Sequence, residues 1–282
     1  MGWIAISCGK SSVDYLDSDF PERTPKKYAE GIVNVSGRHQ QNLTMTSDGK
    51  EVLITQTNSE EWRYERILRI KSTKGKWSID TPRFVSDFQF SNEWFIGEPM
   101  ISPENNKLFF VADYPPDLWE SARLAGGDWG MPTKMTISTE KDDWYPTLSK
   151  RGTLYFTNGT GLFSRKEREN YTLREVIAPP LDSMDLRDPM ISPNEDYLIF
   201  SSRPNPSEEQ TDLYVSFAKE DRTWSNPINL GDEVNTNQLE FAPYISPDEK
   251  FLFFSRRDKW INADSTNIYW VSMQLIDALH RP

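Results

Sequence analysis

One cysteine and two histidines in 282 residues exclude several kinds of chemistry at the outset. Cys8 has no partner for an intrachain disulfide. A single thiol with two imidazoles falls short of the usual His/Cys zinc set. No Gly-rich phosphate loop and no Ser-His-Asp arrangement is visible, so neither a metal nor a cofactor is expected. Apolar runs are short, and none approaches the roughly 20 residues that a membrane-spanning helix needs. Positive charge is scarce as well. Lys and Arg total 32 against 43 Asp and Glu, a net charge of −11 with pI near 4.8. Nucleic-acid backbone binding requires clustered Lys and Arg. The pairs Lys26-Lys27 and Arg256-Arg257 are too short for that, so no nucleic-acid partner is expected.

What the chain has in quantity is one refrain. Glu98-Pro99-Met100-Ile101-Ser102-Pro103 precedes Leu108-Phe109-Phe110. Asp188-Pro189-Met190-Ile191-Ser192-Pro193 precedes Leu198-Ile199-Phe200, and Ala242-Pro243-Tyr244-Ile245-Ser246-Pro247 precedes Leu252-Phe253-Phe254. Looser copies start at Tyr145-Pro146 and at Leu43-Thr44. Counted between Leu43, Pro99, Pro146, Pro189 and Pro243, the steps are 56, 47, 43 and 54 residues. Each copy is an apolar run, a polar turn and a second apolar run, the pattern of a β-hairpin. Each of the first four then adds an apolar run, a turn ending in an aromatic residue (Trp77, Trp129, Tyr171, Trp224) and one more short run. Those last runs are Pro82 to Val85, Pro132 to Met135, Glu175 to Ile177 and Pro227 to Leu230. Four antiparallel strands in units of this length are propeller blades.

The fifth unit stops after three strands. Its missing strand is expected from residues 28–34, because Val33-Asn34 repeats Val234-Asn235. The fold class is therefore all-β: a five-bladed propeller of four-stranded blades, closed by an amino-terminal strand that completes the last blade. Closure removes the open sheet edges. The alternative is an open or six-bladed ring that draws on Val13 to Pro25.

The motif Ile-Ser-Pro-Asp/Glu/Asn followed by Leu-x-Phe resembles the PD40 (WD40-like) repeat. Closest to it is the stretch from Trp224-Ser225-Asn226-Pro227 through Val234-Asn235 to Ser246-Pro247-Asp248. This likeness spans roughly residues 25 to 275 and implies a TolB-like propeller, as in envelope lipoproteins of Bacteroidetes. The Trp-Asp dipeptide of true WD40 blades is absent. Trp3 to Lys10 in turn resembles the end of a lipoprotein signal, with Cys8 as the lipidated residue. Residues 1–25 would then be a lipoprotein-like tether, and 26–282 a single propeller domain. That reading places the protein in the cell envelope if translation starts further upstream. Otherwise Cys8 is a free thiol on a cytoplasmic protein.

In a propeller, the loops before the first strand and after the second open on one face, where ligands dock. The alignment of repeats puts His39, Gln40, Gln41, Glu98, Asp143, Trp144, Arg187, Asp188 and Glu240 before or at first strands. It puts Gln56, Asp113, Tyr114, Asn158, Arg203, Arg256 and Arg257 after second strands. Carboxylates, guanidinium groups and aromatic faces together suit a polyol or carbohydrate. The ligand-binding candidates are Glu98, Asp188, Asp143, Trp144, Glu240, Arg187, Arg203, Arg256, Asp113 and His39. Glu98 and Asp188 come first, because both directly precede the anchoring proline. Replacing both by Ala is expected to leave the fold intact. The expected function is a non-catalytic binding or scaffold propeller for a protein partner or glycan. The alternative is a glycoside hydrolase-like enzyme that sets two of Glu98, Asp188 and Glu240 across a sugar, about 5 Å apart for retention or roughly 6.5–9.5 Å for inversion.

Overall fold

The computed structural model describes residues 13–16, 18–58, 65–74, 76–88, 95–158, 160–167, 170–171, 174–205 and 209–280. The lipoprotein-like segment with Cys8 lies outside them. Five antiparallel sheets form a five-bladed propeller. Their inner strands are His39–Met45, Ile96–Ile101, Trp144–Leu148, Arg187–Ile191 and Leu239–Ile245, numbered here as blades 1 to 5. Each inner strand touches the next, and that of blade 5 touches that of blade 1, so the ring is closed.

The refrain has a local cause in every blade. Its hydroxyl residue ends the first strand and accepts the N–H that starts the second: Thr46 from Glu51, Ser102 from Lys107, Ser149 from Thr153, Ser192 from Tyr197 and Ser246 from Phe251, all at 2.9–3.1 Å. Three residues after each hydroxyl the backbone turns left-handed, at Gly49, Asn105, Gly152, Glu195 and Glu249. Gly49 is obligatory, because a Cβ there would stand 2.1 Å from the Asp14 carbonyl oxygen. Within each inner strand the residue before the anchor position is also left-handed: Asn42, Glu98, Tyr145, Asp188 and Ala242, with φ of 46–53°. A register shift marks each as a β-bulge. Bulges re-aim side chains, and these five meet around the central channel.

The ring closes as expected, but through different residues. Lys26–Lys27 is the outer strand of blade 5, paired with Trp270 and Tyr269 of its third strand, Thr266–Ser272. The segment 28–34 then turns and pins itself. Asn34 Nδ2 donates to the carbonyls of Tyr28 (2.6 Å) and Ile268 (2.7 Å), and Asn34 Oδ1 accepts the Ile268 N–H (2.8 Å). Asn235 grips both backbone groups of Leu213 in blade 4 in the same way. The shared Val-Asn pair is thus a pin that follows an outer strand, not the strand itself. Both valines are buried beneath it.

Two further expectations change. Val13, Tyr15 and Leu16 fall within the expected lipoprotein-like tether, yet they are buried. Asp14 donates its N–H to the Asp48 carbonyl of blade 1, and the Tyr15 hydroxyl bonds Asp248 of blade 5. The Tyr15 ring meets Phe251 at 5.1 Å and Trp270 at 5.6 Å. Apolar side chains spaced through this stretch outweigh its polar composition. In blade 1, Pro82 to Val85 is not the outer strand. That strand is Lys76–Asp80, and Arg83–Asp87 is a short helix that buries Phe84. The third strand of blade 1, Glu65–Thr73, runs nine residues and turns straight into its neighbour, so the fourth strand comes early. Proline then ends it, having no N–H to offer the ladder. In blade 3 the outer position is shared, since both Asn170–Tyr171 and Glu175–Val176 pair with the third strand.

Candidate functional site

Four of the five bulged residues hand a backbone N–H to the preceding blade. The Asn42 N–H reaches Ser255 Oγ (3.0 Å) and that of Glu98 reaches Thr55 Oγ1 (2.9 Å). These hydroxyls occupy matching places on second strands, opposite Phe241 and Gln41. In blade 2 the matching place is Val111, which has no hydroxyl. There the Glu98 carboxylate takes over, and its Oε2 accepts the Tyr145 N–H at 2.7 Å. Asp188 Oδ2 does the same for the Ala242 N–H (3.1 Å) while accepting the Ser201 hydroxyl (2.5 Å). Glu98 and Asp188 are therefore bolts between blades as well as channel residues. Ala at both sites is expected to destabilise the fold, because each substitution removes the acceptor of an inter-blade N–H.

Above this ring lies a cavity of ≈ 390 Å³ lined by residues from all five blades. Blade 1 supplies Glu65 and blade 5 supplies Trp260. Blade 2 gives Phe95 and Glu98, blade 3 gives Trp144, Tyr145 and Thr157, and blade 4 gives Asp185, Arg187 and Asp188. Phe95 and Trp144 pack edge to face at 5.2 Å, and the Trp260 indole N–H is tied to the Glu209 carbonyl at 2.8 Å. Below, between the bulges, the channel narrows to ≈ 30 Å³, which is room for about two waters. Beneath that waist is a small hollow walled by Met45, Met100, Met190 and Leu148. A larger hollow of ≈ 690 Å³ lies at Tyr155, Phe163 and Trp224 of blades 3 and 4, away from the channel.

Three of the cavity's carboxyl groups, Glu65, Glu98 and Asp188, resist ionisation. Burial pushes Glu65 up to about 8, against the pull of the Arg257 charge and the Gln41 hydrogen bond. Burial also raises Glu98 well above the usual range, and the neighbouring charges of Glu65 and Asp188 add to this. Asp188 rises to about 6 through burial, opposed by its bonds to Ser201 and the Ala242 N–H. The Tyr145 hydroxyl is raised by burial and by the same three acids. Glu65 is 1% exposed; its Oε1 accepts the Gln41 amide at 2.6 Å, and its Oε2 has no hydrogen-bond partner. Gly97 makes room for that oxygen, since a Cβ would meet it at 2.3 Å. Among the described residues, no three His, Cys, Asp or Glu side chains stand together as a metal-binding group.

Of the ten sequence candidates, the cavity brings together Glu98, Trp144, Arg187 and Asp188. The other six do not line it. Asp143 is fully buried and accepts the Thr139 hydroxyl (2.8 Å), closing its own loop. Glu240 accepts Arg256 (2.6 Å) and the Thr236 hydroxyl (2.7 Å). Arg256 also lies 4.5 Å over the Tyr269 ring. Asp113 is buried in the left-handed turn after the second strand of blade 2. Arg203 follows the second strand of blade 4, half-buried. His39 lines a separate hollow with Arg38 and Asp264, its Nδ1 3.2 Å from the Thr266 hydroxyl.

The six other lining residues, Glu65, Phe95, Tyr145, Thr157, Asp185 and Trp260, are not among the sequence candidates. Tyr145 was legible, because it precedes Pro146 as Glu98 precedes Pro99. Glu65 was legible in part: a loop on this face has two ends, and Glu65 stands at the end that enters the third strand.

No family model matches the chain, and no curated protein matches its sequence. Solved structures do share its fold. TolB from Acinetobacter baumannii superposes with a TM-score of 0.53 at 13% identity, over 84% of this chain and 57% of that one. Xylan beta-1,4-xylosidase from Bacillus halodurans C-125 gives 0.55 at 12% identity, over 86% and 53%. The chain thus spans little more than half the length of either, and at these identities the likeness is one of fold. The chain is a five-bladed β-propeller that shares its fold with TolB among solved structures.

Proposed function

We propose that this protein is a non-catalytic, PD40-type binding propeller of the cell envelope that docks a protein partner at the mouth of its channel. The observation that carries this reading is the mouth cavity itself. All five blades wall it, and the blade-to-blade bonds of Glu98 and Asp188 hold it rigid. A preformed site of this kind spends little free energy on ordering when it binds. The envelope assignment rests on the sequence around Cys8. The same bonds weigh against hydrolysis, because each of the two acids is already committed to a neighbouring backbone amide.

A photo-crosslinking side chain in place of Trp144, introduced in cells, tests the reading, with the same group in place of exposed Glu220 as control. A discrete protein adduct from position 144 and none from position 220 is expected. Equal labelling from both positions, or none from 144, removes the mouth as the docking site.

One observation favours a carbohydrate-active enzyme as a second reading. Aromatic rings surround carboxyl groups held near neutral pKa, the environment in which glycosidases keep an acid protonated. Turnover of aryl glycosides that Glu98→Gln abolishes would replace the binding reading with this one.

A further inference from the structure

We propose that the docked partner inserts a basic side chain into the mouth cavity, with its cationic head at Glu65 and Glu98 and its aliphatic stem along Phe95, Trp144 and Trp260. The inference rests on the docking reading above and names the chemistry of the partner.

Charge and shape point the same way. Four carboxyl residues line the cavity, Glu65, Glu98, Asp185 and Asp188, against one guanidinium. That guanidinium, on Arg187, is engaged by exposed Asp185 at 3.0 Å. The independent sign of a missing ligand is Glu65 Oε2, a buried acceptor with no donor on a residue that lines the cavity. Buried polar groups are normally satisfied, and an exception calls for an explanation. A neutral sugar would supply a donor but no counter-charge once these acids ionise, and an anionic ligand would be repelled. An ammonium or guanidinium supplies both donor and charge. Aromatic faces add cation–π attraction and cover the stem. The net charge of −11 steers such a partner toward the protein.

The groups facing Glu65 make the inference pH-sensitive. Gln41 bonds it from blade 1, Glu98 and Tyr145 approach from blades 2 and 3, Asp188 and Arg187 stand in blade 4, and the Arg257 charge acts from blade 5. Arg257 directs its own N–H groups to the carbonyls of Lys259 and Trp260 and to Thr266. Glu65 must lose its proton to receive a cation. With its pKa at about 8, the ionised fraction rises about tenfold from pH 7 to pH 9, while lysine stays charged.

Calorimetric titration with the N-acetylated, C-amidated pentapeptides Gly-Gly-Lys-Gly-Gly and Gly-Gly-norleucine-Gly-Gly, with putrescine and with a neutral disaccharide tests this. The lysine peptide is expected to bind at least about tenfold more tightly than its uncharged analogue. It should tighten about tenfold from pH 7 to pH 9, and Glu65→Gln should remove that rise. The wild-type pH series carries the test even if the variant fails to fold. Equal binding of lysine and norleucine, or a pH-independent lysine affinity, overturns the proposal. Putrescine binding as tightly as the peptide overturns the protein-borne source. Disaccharide binding without lysine binding overturns the cation and leaves mouth docking standing, whereas mouth docking falls only with the crosslinking result.

Discussion

Deleting residues 1–36 abolishes cooperative folding. The truncation removes the outer strand of blade 5 and the buried side chains of Tyr15, Leu16, Tyr28 and Val33. A large apolar side chain contributes roughly 1.5–3 kcal/mol by burial, and a typical domain has only about 5–15 kcal/mol in total. Four such losses, together with a newly exposed sheet edge, exceed most of that margin. The loss is expected as a flattened thermal transition by circular dichroism and as aggregation through the bare third strand. Asn34→Ala isolates the pin alone. It leaves the Ile268 N–H and the Tyr28 carbonyl without their partner, while the Ile268 carbonyl keeps the Tyr28 N–H, and this costs about 2–6 kcal/mol at 1–3 kcal/mol for each stranded group. A truncated protein that melts at the wild-type temperature would mean that the ring is closed by something else.

The second large effect is a stability that falls as pH rises. Glu65 and Asp188 have folded pKa values of about 8 and about 6, against ordinary values of 4.5 and 3.8, and Glu98 is raised with them. The folded protein therefore holds protons that the unfolded chain has already released. Stability from these groups is fully present below pH ~4 and is lost as pH climbs through 6 to 8. Asp48, Asp128 and Asp258 work in the opposite sense. Hydrogen bonds to N–H and hydroxyl groups and nearby Lys and Arg charges hold them below the usual range, so their contribution disappears only in stronger acid. Self-repulsion at −11 grows with pH and adds to the fall. The melting temperature should peak near pH ~5 and drop by roughly 5–10 °C by pH 9, taking 2–4 °C per kcal/mol for a chain of this size. Glu65→Gln should flatten the slope. A melting temperature that rises from pH 5 to pH 9 would contradict the placement of these acids.

The blades were legible because the refrain encodes its own turns. Ser, Pro and a residue tolerant of left-handed backbone recur at fixed offsets, and each has a local hydrogen-bonding reason to be there. Closure was legible from the Val33-Asn34 copy, although its role as a pin was not: a side-chain bond to Ile268, 234 residues away in sequence, leaves no local trace. The helix Arg83–Asp87 escaped notice because aligning repeats assumes equal strand lengths, and blade 1 departs from that. At the site, position in the repeat found Glu98, Asp188, Trp144 and Arg187. It also gathered Glu240 and Arg256, which satisfy each other at 2.6 Å instead of facing the channel. Charge alternation along a sequence cannot separate a paired rim from an unpaired mouth, because pairing is decided across blades. Glu65 shows the converse: it became conspicuous only when Gly97, from another blade, proved to leave space for its free oxygen.

Five blades converge on one acidic cavity, which on the proposal above receives a cationic side chain. Carbon-13 NMR titration of the Glu65 carboxyl, assigned by its disappearance in Glu65→Gln, tests that most directly. A midpoint near 8 that falls when the lysine pentapeptide is added is the predicted result. A midpoint at the ordinary value of 4.5, unmoved by the peptide, would contradict it.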